Sequence, residues 1–252
     1  SLTVEGMENQ PNLFEKAFDL WQHSQDIGQQ QAVTNLLEKN VQAIAKQLEA
    51  QPIVVKQLFT LLDSPQRKIE ISSIYTLMAN TRSTALVPDL IQRYVTKHDE
   101  RAEIVKTMTK ISGFDQVIDD FYDDYVDKKW LERQYPRHVE VLSNLAQLLL
   151  QYTDYQRFIN LLDNVSWAND SRFNTQIDRL LQRAYTQLPS QHSAKIVEAM
   201  AYRADKRQGD VTGLRKALSN KDAQVQFLAA EGLAKRGIKD GFAILMATID
   251  YN

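Results

Sequence analysis

The stretch DVTGLRKALSNKDAQVQFLAAEGLAKRGIKDGFAILMATID, Asp210–Asp250, decides how this chain folds. Three short helices fit onto it. Leu214 and Leu218 share one face of the first, Val225, Ala229 and Leu233 one face of the second, and Phe242, Leu245 and Ile249 one face of the third. Steps of three and four residues return a side chain to the same stripe of an α-helix, so each helix has one face to bury. Asn220-Lys221-Asp222 supplies a polar turn, with Asp222 placed to cap the helix after it. That helix closes on Lys235 and Arg236, where positive charge suits the carbonyl end of the dipole, and Gly237 follows as a stop. The small pair Ala229-Ala230 lets two helix backbones approach closely.

The same period recurs toward the N-terminus. Leu13 to His23, behind Pro11 and a capping Asn12, carries the stripe Leu13, Phe14, Ala17, Phe18 and Trp21. Residues 29–37 and 41–48 read as one long helix or two. Pro52 stands at a first helical position for a helix through Leu62. Asp63-Ser64-Pro65 opens a second unit: Ile71, Ile74, Leu77 and Met78 line one helix, and Leu86, Leu90, Ile91 and Tyr94 the next. Pro88 falls in the first turn of that second helix, where the amides have no intrahelical partner. Asp99 opens a third unit, with Ile104, Val105, Met108 and Ile111 ahead of a Ser112-Gly113 turn. Asp63 and Asp99 are 36 residues apart, within the roughly 33 to 47 residues of helical repeats.

An irregular connector is expected near 128–136, with Trp130 and Leu131 turned inward. Helices then follow from Arg137 to Tyr152, from Tyr155 to Leu162, over 173–188 and around Ile196, Val197 and Met200. A basic loop from Arg203 to Gln208 leads into the final repeat. No β-branched alternation of strand length occurs anywhere, so the chain is read as all-α. Alternating longer and shorter amphipathic helices with short turns fit a stack of antiparallel hairpins, in which no repeat buries its face alone.

Composition agrees with that and narrows function. The chain has 252 residues, 25% charged and 43% hydrophobic, enough for a substantial core, and only 8 Gly and 6 Pro, too few for a turn-rich β protein. A formal net charge of -2 lacks the electrostatic footprint of a protein that tracks nucleic acid by its phosphates. With 0 Cys there is no disulfide, thiolate metal site or cysteine nucleophile. Absent cysteine suits a cytoplasmic or a periplasm-like compartment equally, so localisation stays open. The longest apolar run, Leu145 to Leu150, includes Gln147 and falls far short of a membrane span. A soluble chain is expected, compatible with being a fragment of a longer one.

The Asp210–Asp250 stretch resembles a HEAT repeat, in particular the HEAT-like repeats named after phycobilisome lyases. The resemblance extends more loosely to Asp63–Tyr125. It implies an α-α superhelix, a HEAT- or armadillo-like solenoid of antiparallel helix pairs, as a single domain over 1–252. Such solenoids are usually scaffolds that bind proteins or peptides along an extended surface. Two catalytic groups look similar in architecture: phycobilin lyases and HEAT-like alkylpurine DNA glycosylases. The charge balance speaks against the second, and no motif carries over from the first.

Few constellations suggest chemistry. In the run from Asp115 to Asp127, Asp119 and Asp123 are one turn apart, as are Asp120 and Asp124. Paired carboxylates at that spacing can meet a basic partner or a divalent cation, and the plain alternative is a solvated helix face. The run lacks the glycine and alternating ligands of an EF-hand loop, so no metal site is assigned. His23, His98, His138 and His192 are scattered without metal-ligand spacing, and no GxSxG, P-loop or GxGxxG motif occurs. No catalytic, cofactor-binding or metal residue is therefore expected, and no cofactor. Trp130, Tyr135 and Trp167 fall in expected connectors and are anchor candidates for a partner. The basic residues Arg203, Lys206, Arg207, Arg215 and Lys216 can form a small positive patch near the last repeat, and a solvated surface is the reading preferred. The leading expectation is a non-enzymatic scaffold for a protein or peptide, with nucleic acid disfavoured. The alternative is a catalytic or small-ligand-binding HEAT-like protein.

Overall fold

The computed structural model describes residues 12–24, 26–40, 43–44, 47–48, 51–65, 69–113 and 128–249, with backbone alone at 52–53, 128–138 and 248–249. Among these residues every regular element is helical and no strand occurs. The fold is all-α. Two compact units divide the chain, Ser1–Val117 and Ile118–Asn252, where the sequence reads as one domain.

Unit 1 contains α1 (Leu13–His23), α2 (Ile27–Lys39), α3 (Pro52–Val55), α4 (Gln57–Asp63), α5 (Ile71–Thr81), α6 (Val87–Thr96) and α7 (Arg101–Ser112). The α1 stripe Leu13, Phe14, Ala17, Phe18 and Trp21 is wholly buried. Its rings stack along the helix, Phe14 on Phe18 at 5.7 Å and Phe18 on Trp21 at 6.5 Å. Burying side chains of this size stabilises by about 1.5–3 kcal/mol each. Asn12 does not cap α1: its φ of 64° is left-handed and its side chain makes no capping bond. The working cap in this region is Asp26, whose carboxylate accepts from the Gly28 amide at the start of α2. The helix expected from Pro52 breaks at Lys56 into α3 and α4. α5 packs against α7, and α6 against α7.

Unit 2 contains α8 (Lys128–Gln151), α9 (Tyr155–Trp167), α10 (Asn174–Gln187), α11 (Ser193–Arg207), α12 (Thr212–Ala217), α13 (Ala223–Lys235) and α14 (Phe242–Ile249). The connector expected near 128–136 is helical instead. Lys128–Tyr135 is rich in good helix formers, and the helix continues through Pro136, which lacks the amide that would bond one turn back. Most helices of this unit meet a neighbour in sequence and the next but one. α9 packs on α11 and α11 on α13 in one row, α8 on α10 and α10 on α12 in the other, and α10–α11, α11–α12 and α12–α13 join the rows.

The C-terminal stretch folds close to its reading. The Asp222 carboxylate accepts from the Gln224 amide at 2.8 Å, and Val225, Ala229 and Leu233 are buried. Gly237 ends α13 with φ of 70°. Close approach rests on a glycine as well as on the alanines: a Cβ on Gly241 would stand 2.5 Å from Ala230 Cβ. Because Gly241 takes that contact, α14 is turned so that Phe242, expected inside, is 43% exposed.

The basic loop expected from Arg203 to Gln208 is a further correction. Arg203 lies within α11 and is 1% exposed, the largest fully buried side chain of the described residues. A buried charge is tolerable only when paired and hydrogen-bonded. Its Nε donates to Asp178 Oδ1 at 2.6 Å, its Nη1 to the Ala168 carbonyl at 2.6 Å, and its Nη2 to Asn174 Oδ1 at 3.1 Å.

Candidate functional site

Asp119, Asp120, Asp123 and Asp124 lie outside the described residues. Trp130 and Tyr135 fall on α8, not in a connector, and only their backbone is described. Trp167 is the last residue of α9 and half-buried. Its ring stacks on Tyr202 of α11 at 5.8 Å with 5° between the planes, and its carbonyl accepts from Arg207 Nη2. A ring held in this way joins two helices, with part of its surface still exposed.

Strongly perturbed titratable groups suggest a functional site when they face a cleft. In unit 1 one of them, Glu100, lines an open hollow with Glu70, Asp99 and Glu103, but its carboxylate is occupied from inside the fold. Arg93, 8% exposed, donates through Nη2 to Glu100 Oε1 at 2.8 Å and through Nη1 to Asp63 Oδ1 at 2.7 Å. Tyr75 donates its hydroxyl to Glu100 Oε2. Burial acts to raise the Glu100 carboxyl, but the Arg93 guanidinium and the Tyr75 hydroxyl outweigh it and hold the group below the ordinary glutamate range. Burial, and after it the Glu100 carboxylate, pushes the Tyr75 phenol well above its ordinary value. All three groups are spent on each other, in a clamp joining α5, α6 and the turn before α7.

A hollow in unit 1 is lined by Trp21, Gln30, Phe59 and Asp63 among others. Gln30 is bonded to the Ser24 carbonyl and Asp63 to Arg93. Trp21 Nε1 has no hydrogen-bond partner, but it is shielded from solvent and offers nothing a ligand can reach. Among the described residues no three His, Asp or Glu side chains form a metal-ion site.

A different surface emerges in unit 2, as an open groove between α10 and α12. Arg179, Arg183 and Lys216 line it with Gln182, Thr186 and Thr212, and all three cations are exposed. Its floor depends on Gly213, where a Cβ would stand 2.5 Å from Met200 Sδ and 3.1 Å from Gln182 Cγ. The missing side chain is what lets α12 lie so close to α10 and α11. The groove's edge is fixed from inside. Asp178, which holds Arg203, accepts through Oδ2 from the Asp210 amide at 3.1 Å. Asp210 in turn accepts from the Thr212 amide and hydroxyl and from Gln182 Nε2. The Thr212 amide, then its hydroxyl and Gln182, hold the Asp210 carboxyl below its ordinary range, so it stays ionised and engaged.

Of these residues only Lys216 belongs to a basic run visible in sequence. Arg179 and Arg183 were readable only as two charges one turn apart on the polar face of an amphipathic helix. No protein-family model matches the chain, and no curated protein or solved structure shows significant similarity to it.

Proposed function

We propose that the chain is a non-enzymatic protein-interaction module of HEAT-like solenoid architecture, which holds a protein or peptide partner on the outer surface of its helix rows. The observation that carries this reading is the unit 2 groove, built on helices that pack in two rows and lined by polar and cationic side chains open to solvent. Row-wise contact is what a stack of hairpins makes, and it creates extended grooves between successive helices. The buried Arg203 supports the same reading, since its internal partners tie together the helices that form the groove.

Affinity capture from native lysate with the full chain, followed by reconstitution with the purified partner, tests this. The expected result is a stoichiometric complex in which the chain is recovered chemically unchanged. Failure to capture any protein, together with turnover of a small molecule in activity screens, would overturn it.

A further inference from the structure

We infer that the groove between α10 and α12 binds an acidic peptide segment of a partner protein, with its carboxylates on Arg179, Arg183 and Lys216. The inference rests on the interaction-module reading and adds the partner's chemistry. Arg179 and Arg183 are one turn apart on α10, a spacing at which like charges disfavour a helix. Four exposed cations elsewhere in unit 2 are paired with a carboxylate, Arg172 with Asp170, Lys206 with Asp205, Arg215 with Asp240 and Lys235 with Glu231, and what marks the groove is that three cations share one lining. None of the groove's three cations stands within ion-pair distance of a carboxylate among the described residues, and no carboxylate lines the groove. Asp210, at its margin, is bonded to Thr212 and Gln182. Concentrated positive charge without internal compensation is the complement of an acidic surface.

The neutral groups select a peptide within that class. Gln182 uses its amide nitrogen on Asp210 and keeps its amide oxygen free to accept. The hydroxyl hydrogens of Thr186 and Thr212 go to the Arg183 carbonyl and to Asp210, so their oxygen lone pairs also remain as acceptors. Acceptors beside exposed cations suit the backbone N–H groups of an extended chain whose side chains are carboxylates. A nucleic acid fits less well. Stacking a base needs an open aromatic face, and Tyr185, the ring lining the groove, is half-buried with its hydroxyl accepting from Asn220 Nδ2 at 2.7 Å.

The test measures fluorescence anisotropy of a short, labelled, Glu-rich peptide with the full chain, at low and high salt. A peptide with Gln in place of Glu and a single-stranded oligonucleotide serve as comparison probes. The groove variant is Arg179→Gln, Arg183→Gln, Lys216→Gln. A control variant, Lys195→Gln, Lys221→Gln, Lys239→Gln, makes the same change in net charge at exposed positions outside the groove. All six side chains are exposed, so circular dichroism and melting should match wild type for both variants. The expected result is salt-sensitive binding of the Glu-rich peptide that weakens about tenfold or more in the groove variant and is retained in the control. No binding of the Glu-rich peptide, an equal loss in the control, equal affinity for the Gln peptide, or tighter binding of the oligonucleotide would each overturn the inference. Failure of the parent reading looks different. If the groove variant still forms the complex recovered from lysate, the interaction module stands and this groove is not its site; if wild type recovers no partner and turns over a small molecule, the module itself falls.

Discussion

Arg203 Nε lies 2.6 Å from Asp178 Oδ1, joining α11 to α10 across a pair of side chains that are 1% and 11% exposed. The same guanidinium takes the Ala168 carbonyl beyond α9, and the same carboxylate takes the Asp210 amide ahead of α12. One ion pair therefore registers four successive helices of unit 2. Arg203→Met removes the charge but keeps much of the volume. It leaves Asp178 Oδ1 and the Ala168 carbonyl without the Arg203 donor, which costs about 3–5 kcal/mol for a buried pair broken from one side. Urea unfolding should show that loss, and adding Asp178→Asn should recover part of it because the stranded charge is gone. An Arg203→Met variant as stable as wild type would mean that the pair does not hold the helices together.

Glu100 gives unit 1 a pH dependence of definite sign. Its folded carboxyl is held below the unfolded value of 4.5, so its contribution is complete above that pH and is lost as pH falls through the folded value. Urea midpoints followed by circular dichroism should therefore decline on acidification below about pH 4.5 in wild type. Glu100→Gln should be less stable at neutral pH by about 3 kcal/mol, since Arg93 loses its charged partner, and the gap to wild type should narrow in acid. Tyr75 acts at the other end. With its folded value raised, its contribution is fully present below the ordinary tyrosine value of 10 and is lost as pH rises above it, a loss that Tyr75→Phe should abolish.

The two C-terminal glycines are required for different reasons, and substitutions separate them. At Gly237 a Cβ meets nothing within 4 Å but φ is +70°, so Gly237→Ala should cost about 1 kcal/mol from left-handed strain alone. At Gly241 the backbone meets Ala230, whose Cα and Cβ would be 2.6 and 2.5 Å from a new Cβ. There the helices must move apart, and Gly241→Ala should cost about 1–3 kcal/mol from overpacking. Amide exchange in α14 should rise for Gly241→Ala and stay near wild type for Gly237→Ala.

Local signals were legible in the sequence and non-local ones were not. The stripes of α1 and α13, the Asp222 cap and the Gly237 stop each depend on residues within a turn or two of one another, where helical geometry alone fixes the outcome. Asn12 failed as a cap because cap chemistry needs an extended backbone and Asn12 is left-handed. Arg203 looked like a loop cation because its carboxylate partner stands 25 residues earlier, on another helix. Phe242 looked internal by period, yet the Gly241–Ala230 contact decides which way α14 faces. The groove was hidden for the same reason as Arg203. Arg179 and Arg183 become a site only when α12 brings Lys216 beside them.

Trp167 provides a last separation, between holding the fold and holding a partner. Its plane-on-plane contact with Tyr202 and the Arg207 bond to its carbonyl tie the end of α9 to α11. Trp167→Ala deletes the ring but not the carbonyl, so the loss is apolar contact and stacking, about 2–4 kcal/mol for a half-buried tryptophan. The melting temperature should fall accordingly. Binding of the Glu-rich peptide should be unchanged below the melting transition, since the ring lines no part of the α10–α12 groove. The reverse pattern, unchanged melting with lost binding, would return Trp167 to the role of an exposed anchor and move the partner surface from α10–α12 to the α9–α11 edge.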